Sequence, residues 1–287
     1  VNKALHFLRQ LAGEINRVDT FNGAAALGFY LTLAIFPATI LVMAVLPYLP
    51  IDRVDQAIMD FLQQALPGTA AAMFSGVVEQ VTSEQRGGLL SFGIVGTVWA
   101  ASTGMYAVMR QMNVAYQVPE RRPFVKARLV ALGLSLLFLL LVIGAFSLIV
   151  LGGVVQDWLG ARFGFSPALL AFFATLRWML IAAALLLGFA FIYAYAPNVK
   201  RRLSLLTPGG VLGVVLLVVA SLGFSWYLAR FANYDAVYGS IGAVIVLMLW
   251  LYIAGFVILL GAEVNVLRER WRGGRPRGPR EAPAAAG

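Results

Sequence analysis

Residues 168–195 read ALLAFFATLRWMLIAAALLLGFAFIYAY, and this stretch decides the solvent of the whole chain. It is longer than the roughly 20 mostly apolar residues a helix needs to cross the hydrocarbon core. Its single charged residue is Arg177. A soluble helix alternates an apolar stripe with a charged face, whereas this one is apolar all round, as a membrane-buried helix is.

Five further runs have the same character, at about 24–47, 88–115, 127–151, 208–230 and 240–264. The 287-residue chain is 61% hydrophobic and only 12% charged, with a mean hydropathy of +0.84. A soluble domain carries about 25% charged residues. The reading is an all-α integral membrane protein, a bundle of six transmembrane helices. Each backbone polar group is satisfied inside its own span, and no alternating strand pattern suggests a barrel. Prolines punctuate the runs: Pro47 and Pro50 follow the first, Pro119 and Pro123 separate the second and third, and Pro167, Pro197 and Pro208 bracket the fourth and its following loop. Pro37 alone falls inside a run, where a kink is expected.

Outside the spans, residues 1–20 place Leu5, Leu8, Leu11, Ala12, Ile15 and Val18 at helical spacing among Lys3, Arg9 and Arg17, which predicts an amphipathic interfacial helix. They lack the apolar core and small-residue cleavage site of a signal peptide, so none is expected. The membrane domain is read as 21–267. Within it, 48–87 carries Asp52, Asp55, Asp60, Glu79 and Glu84 and two apolar stripes, Val54 to Ala65 and Met73 to Val81. These predict short amphipathic helices capping the extracytoplasmic face. Residues 268–287, with six arginines among Gly, Pro and Ala, read as a disordered basic tail.

The net charge of +9 follows this topology. Arg110, Arg121, Arg122, Lys126 and Arg128 cluster between the second and third spans, and Lys200, Arg201 and Arg202 between the fourth and fifth. By the positive-inside rule these loops and both termini face the cytoplasm. Anionic membrane lipids are the expected partners of the basic tail, each Lys or Arg near the surface adding about 1 kcal/mol. A nucleic-acid partner is not expected, because the tail lacks interleaved aromatics beyond Trp271. Small-residue faces, such as Gly209 and Gly213 in GxxxG register, mean close packing and permit a homo-oligomer.

Six residues are candidates for binding. Arg177 is costly in hydrocarbon and shares a helical face with Ala174, Ile181, Ala184 and Gly188; it either points into the bundle or snorkels to the interface. Ser102, Tyr106, Arg110 and Asn113 recur with Trp99 at spacings of three and four, forming a polar stripe that is either interhelical bonding or a path. Glu263 near the end of the sixth span is read first as a lock, paired with Arg110 or an arginine of 200–202, and second as a protonatable coupling group. No catalytic cluster, nucleotide loop or metal set is present: the chain has no cysteine and one histidine, so no cofactor is expected.

Taken together, NYDAVYGSIGAVIVLMLWLYIAGFVILLGAEVN (233–265), AAALGFYLTLAIFPA (24–38), GTVWAASTGMYAVMRQMNVAY (96–116) and YAYAPNVKRRLSLLTPGG (193–210) resemble the YihY/BrkB family. That resemblance implies a bacterial inner-membrane protein with six helices. It also implies a family whose older ribonuclease label is a misattribution, and in which some members are linked to lipid or lipopolysaccharide handling. The functional expectation is a transporter or flippase-like protein for an anionic lipid or amphiphile. The alternatives are a non-transporting envelope scaffold and, last, a lipid-modifying enzyme.

Overall fold

The computed structural model describes residues 2–45, 87–163, 166–199, 201–231 and 240–273. The expected cap at 48–87, except Gly87 at its end, the turn at 232–239 and the tail beyond 273 therefore lie outside the described residues. All regular structure within them is helical, with no strand. The helices are α1 (Asn2–Arg17), α2 (Thr20–Val45), α3 (Gly87–Ala115), α4 (Phe124–Phe163), α5 (Pro167–Tyr195), α6 (Pro208–Phe231) and α7 (Ser240–Trp271). Four contain a stretch long and apolar enough to cross a membrane: Phe124–Ala145, Ala168–Tyr195, Pro208–Leu228 and Val244–Trp271. The count is five if α1 and α2 form one broken span.

Local chemistry explains the ends. Ser166 caps α5 by accepting a hydrogen bond from the Leu169 N–H, with Pro167 in the first helical turn, where a missing N–H costs nothing. Thr207 does the same for α6, its Oγ1 accepting from the Gly210 N–H at 3.0 Å. α3 closes with paired bonds, Val118 N–H to the Asn113 carbonyl at 2.9 Å and Gln117 N–H to that of Val114 at 3.0 Å. This six-to-one closure needs a left-handed residue after the helix, and Gln117 supplies it at φ 55°. Asp19, at φ 54°, makes the break between α1 and α2; Asp and Asn are the non-glycine residues that best tolerate this region.

Two helices outrun their apolar runs. α4 has 40 residues, a length of about 60 Å at 1.5 Å per residue. That is twice the hydrocarbon core. α7 continues to Trp271, so the first residues of the expected tail are helical.

The described residues pack as two compact units. Those within 1–18, 112–216 and 260–287 form the first, and those within 19–111 and 217–259 the second. In the first, α4 packs on α5, and Leu11 of α1 packs with Val264 and Leu267 of α7, flanked by Phe7, Ile15, Leu212 and Leu260. In the second, Gly28 of α2 lies against the α7 backbone at Tyr252 and Met248, while Gly255 of α7 lies against Leu27 and Ala24. Phe21 stacks on Phe256 at 5.0 Å. Large apolar side chains remain exposed, among them Met179 at 64% and Leu222 at 68%. Such surface is stable against lipid and costly against water.

Candidate functional site

Polar side chains concentrate at one end of the first unit, where the loops following α3 and α5 meet the ends of α1, α6 and α7. Asn113, in the last turn of α3, donates to Glu120 Oε2 at 2.9 Å and accepts from the Asn198 N–H at 2.6 Å, so one amide ties two loops together. Glu120 also accepts from the Arg122 N–H at 3.0 Å. Arg122 in turn donates to the carbonyl of Ala196 at 3.0 Å and to that of Tyr195 at 3.4 Å, satisfying the end of α5. Asn265 of α7 clamps the start of α6, accepting from the Gly209 N–H at 2.8 Å.

Two ion-pair systems complete this end. Arg201 is paired with Glu269, donates to the Tyr116 hydroxyl at 3.0 Å and stacks over that ring at 4.6 Å. Burial pushes the Tyr116 phenol up to about 12, against the lowering pull of Arg201, so it stays a neutral acceptor through the physiological range. Glu14 of α1 receives Arg270 at 2.6 Å and Arg17 at 3.1 Å. A cavity of about 410 Å³ opens beside them, lined by Lys3, Leu5, His6, Arg9 and Trp271.

The six sequence candidates do not form one cluster. Ser102, Tyr106 and Arg110 belong to the second unit, and Asn113, Arg177 and Glu263 to the first. Ser102 is buried and donates to the Trp99 carbonyl of its own helix at 2.7 Å. Tyr106 is half-buried, while Arg110 and Trp99 are exposed. Their common spacing thus does not make a uniformly buried face.

Arg177 is half-buried on the face of α5 that carries Ala174, Ile181, Ala184 and Gly188, while Leu176, Trp178 and Met179 are exposed. Its guanidinium lies 5.9 Å from the Trp178 ring centre, and its Nε has no hydrogen-bond partner. No carboxylate pairs with it among the described residues. Glu263 is 1% exposed, and neither of its carboxylate oxygens has a hydrogen-bond partner. The expected lock between Glu263 and an arginine is therefore not made. Glu269 takes Arg201 and Glu14 takes Arg270, because these acids reach the loop level while Glu263 stays within the packed part of α7.

Sequence reasoning misses Glu14, Tyr116, Glu269 and Arg270, and offers Arg201 only as a partner for Glu263, where the structure pairs it with Glu269. Only the Glu14–Arg17 pair, three apart on one helix, leaves a local signal. Among the described residues, no group of three or more His, Asp or Glu is placed to hold a metal.

Residues 11–285 match the model of the family described as virulence factor BrkB. The chain is 35% identical over 267 residues to the ribonuclease-like protein YfkH of Bacillus subtilis, covering 92% of this chain and 95% of that protein. It is 29% identical to a UPF0761 membrane protein of Rhodospirillum centenum, over 88% of this chain and 55% of that one. A UPF0761 membrane protein of Alkalilimnicola ehrlichii is 28% identical, over 91% and 57%. The chain thus spans nearly all of the Bacillus protein and about half the length of the UPF0761 relatives. No solved structure matches the chain.

Proposed function

The chain belongs to the BrkB family of multi-pass membrane proteins, and on that premise we propose that it moves an anionic lipid or amphiphile across the bacterial inner membrane. The observation that carries this reading is Arg177. A guanidinium about ten residues inside an apolar span, on the packed face of its helix and without a carboxylate partner among the described residues, is costly unless it meets an anion in use. A phosphate or carboxylate headgroup would be that anion.

In this reading the chain crosses six times with both termini cytoplasmic. The basic cavity at Lys3 and Arg9 gathers anionic lipid at the cytoplasmic interface. Arg110 and Tyr106 offer further polar contact along α3. Ser102 and Asn113 act by holding the helices, since their hydrogen bonds are spent within the fold. Glu263 is the coupling acid.

The second reading is a non-transporting envelope scaffold, favoured by the saturation of the polar end of the first unit. A lipid-modifying enzyme ranks below both, because the described residues bring no acid, base and nucleophile together. Nor do they offer the acid–base cluster that a ribonuclease would use.

The test is a vesicle assay with a fluorescent phosphatidylglycerol whose outer-leaflet signal is quenched chemically. Wild-type protein should accelerate leaflet exchange over empty vesicles. Losing a charge-assisted hydrogen bond costs about 1.5–3 kcal/mol, so Arg177→Ala should slow exchange by roughly ten- to a hundredfold. Arg177→Lys should retain part of it. Exchange in wild-type vesicles no faster than in empty ones would sink the transport reading and leave the scaffold.

A further inference from the structure

The buried carboxyl of Glu263 has a specific setting. Leu260 and Leu267, three residues before and four after it, lie on its side of α7, and both belong to the cluster packed on Leu11 and Ile15 of α1. Glu263 therefore faces α1 from inside an apolar contact. Glu14, one turn beyond Leu11, stands on the α1 side of the same helix pair.

The charged and titratable groups acting on Glu263 are Glu14 and Arg17 of α1 and Arg270 of its own helix. Tyr116 beyond α3 senses its charge, and Tyr193 of α5 packs close to Gly261, two residues before it. Of these, the cations are the natural partners, and both are already bound to Glu14, at 2.6 Å for Arg270 and 3.1 Å for Arg17. Two carboxylates thus share two arginines, and all of the observed bonds go to one carboxylate. An ionised carboxylate left buried without a hydrogen bond or counter-charge is strongly disfavoured.

We propose that Glu263 is a proton-exchange site and that its ionised form draws Arg270 away from Glu14. The proton comes from and returns to water at the polar end, so no other reactant is needed. Arg270 lies seven residues on, about 10.5 Å along the helix. Helical side chains lean toward the N-terminus, so its guanidinium leans back toward Glu263. Transfer of Arg270 would loosen α1 from the end of α7, where Trp271 also donates to Gln10 at 2.6 Å. Glu263 would then gate the basic cavity at Lys3, His6 and Arg9, one wall of which is Trp271. The link from this site to lipid movement rests on the transport reading; the proton site itself does not.

The experiment is infrared difference spectroscopy on the full chain in vesicles across a pH series. A protonated-carboxyl band should titrate in wild type and be missing in Glu263→Gln. Glu14→Gln, which frees both arginines and removes a like charge, should move that titration to lower pH, and this variant leaves the buried residue intact. A band unchanged by Glu263→Gln, or one that follows sodium concentration and not pH, overturns the proposal. Glu14→Gln with an unshifted titration overturns the competition for Arg270. A titrating band in vesicles that move no lipid supports the proton site and sinks the transport reading separately.

Discussion

The two units hold their helices together by different means. In the second unit, α2 and α7 approach through Gly28 and Gly255, with aromatic stacking of Phe21 on Phe256 and no polar clamp at the crossing among the described residues. In the first unit, the approach of α6 to α7 at Gly209 and Gly261 is sealed by the Asn265 amide, and the loops beside it are tied by Asn113, Arg122 and Arg201. The difference follows from where water ends. Lipid provides no hydrophobic drive between helices, so close backbone packing carries association inside the span. At helix ends the unsatisfied N–H and C=O groups need partners, and side chains supply them.

The sharpest way to break this contrast is Gly209→Ala in the first unit. A Cβ there would fall on the Gly261 carbonyl and stand 2.7 Å from the Asn265 amide. Neither neighbour is the loose end of a flexible chain, and the Asn265 clamp would be lost with the contact. Overpacking of this kind costs about 1–3 kcal/mol and the displaced hydrogen bond about 1 more. Thermal unfolding in detergent should show Gly209→Ala as more destabilised than either Asn113→Ala or Gly28→Ala. A wild-type transition would mean that α6 and α7 do not meet at this point.

Asn113→Ala comes next. Its buried side chain makes two bonds, to Glu120 and from the Asn198 N–H, and the second joins segments 85 residues apart. Losing both should cost about 2 kcal/mol. Asn113→Asp should do no better, because it sets a second carboxylate against Glu120. The measurement is the rate of tryptic cleavage after Arg121, since the Arg122–Pro123 bond resists trypsin: both variants should be cut faster in this loop while sites in the second unit keep their rates. Unchanged cleavage would remove the clamp from the account of the first unit.

The same physics separates what the sequence discloses from what it hides. Hydropathy reports solvent, so the helices at 168–195 and 208–230 are legible almost to the residue, with Pro167 and Pro208 marking their starts. It does not report hydrogen bonding, so it misses the extension of α4 to Phe163 and of α7 to Trp271, where polar residues continue a helix outside an apolar run. Polar residues in apolar runs mark out Ser102, Asn113, Arg177 and Glu263. Their partners are another matter. Glu14 and Arg270 lie 256 residues apart, and nothing local in either segment announces the pair. Glu263 reads as a lock because it is an acid near basic loops, yet Glu269, six residues on, has the reach to Arg201 and takes it.

The smallest effect, and the cleanest test of the second unit, is Gly28→Ala. Its Cβ would stand 3.1 Å from the Tyr252 nitrogen and 3.3 Å from the Met248 carbonyl, so α2 and α7 would have to separate by a few tenths of an ångström. Replacing glycine inside a helix also returns about 1 kcal/mol of helix propensity, which offsets much of the strain and leaves a net loss of about 1 kcal/mol or less. Gly223, in α6 of the same unit, provides the control, since a Cβ there meets nothing within 4 Å. Both substitutions gain the same propensity, so the difference between them isolates the helix contact. Gly223→Ala should raise the unfolding temperature and Gly28→Ala lower it. Equal shifts would show that α2 and α7 do not rely on glycine at their crossing, and the contrast between the two units would then rest on the polar end of the first alone.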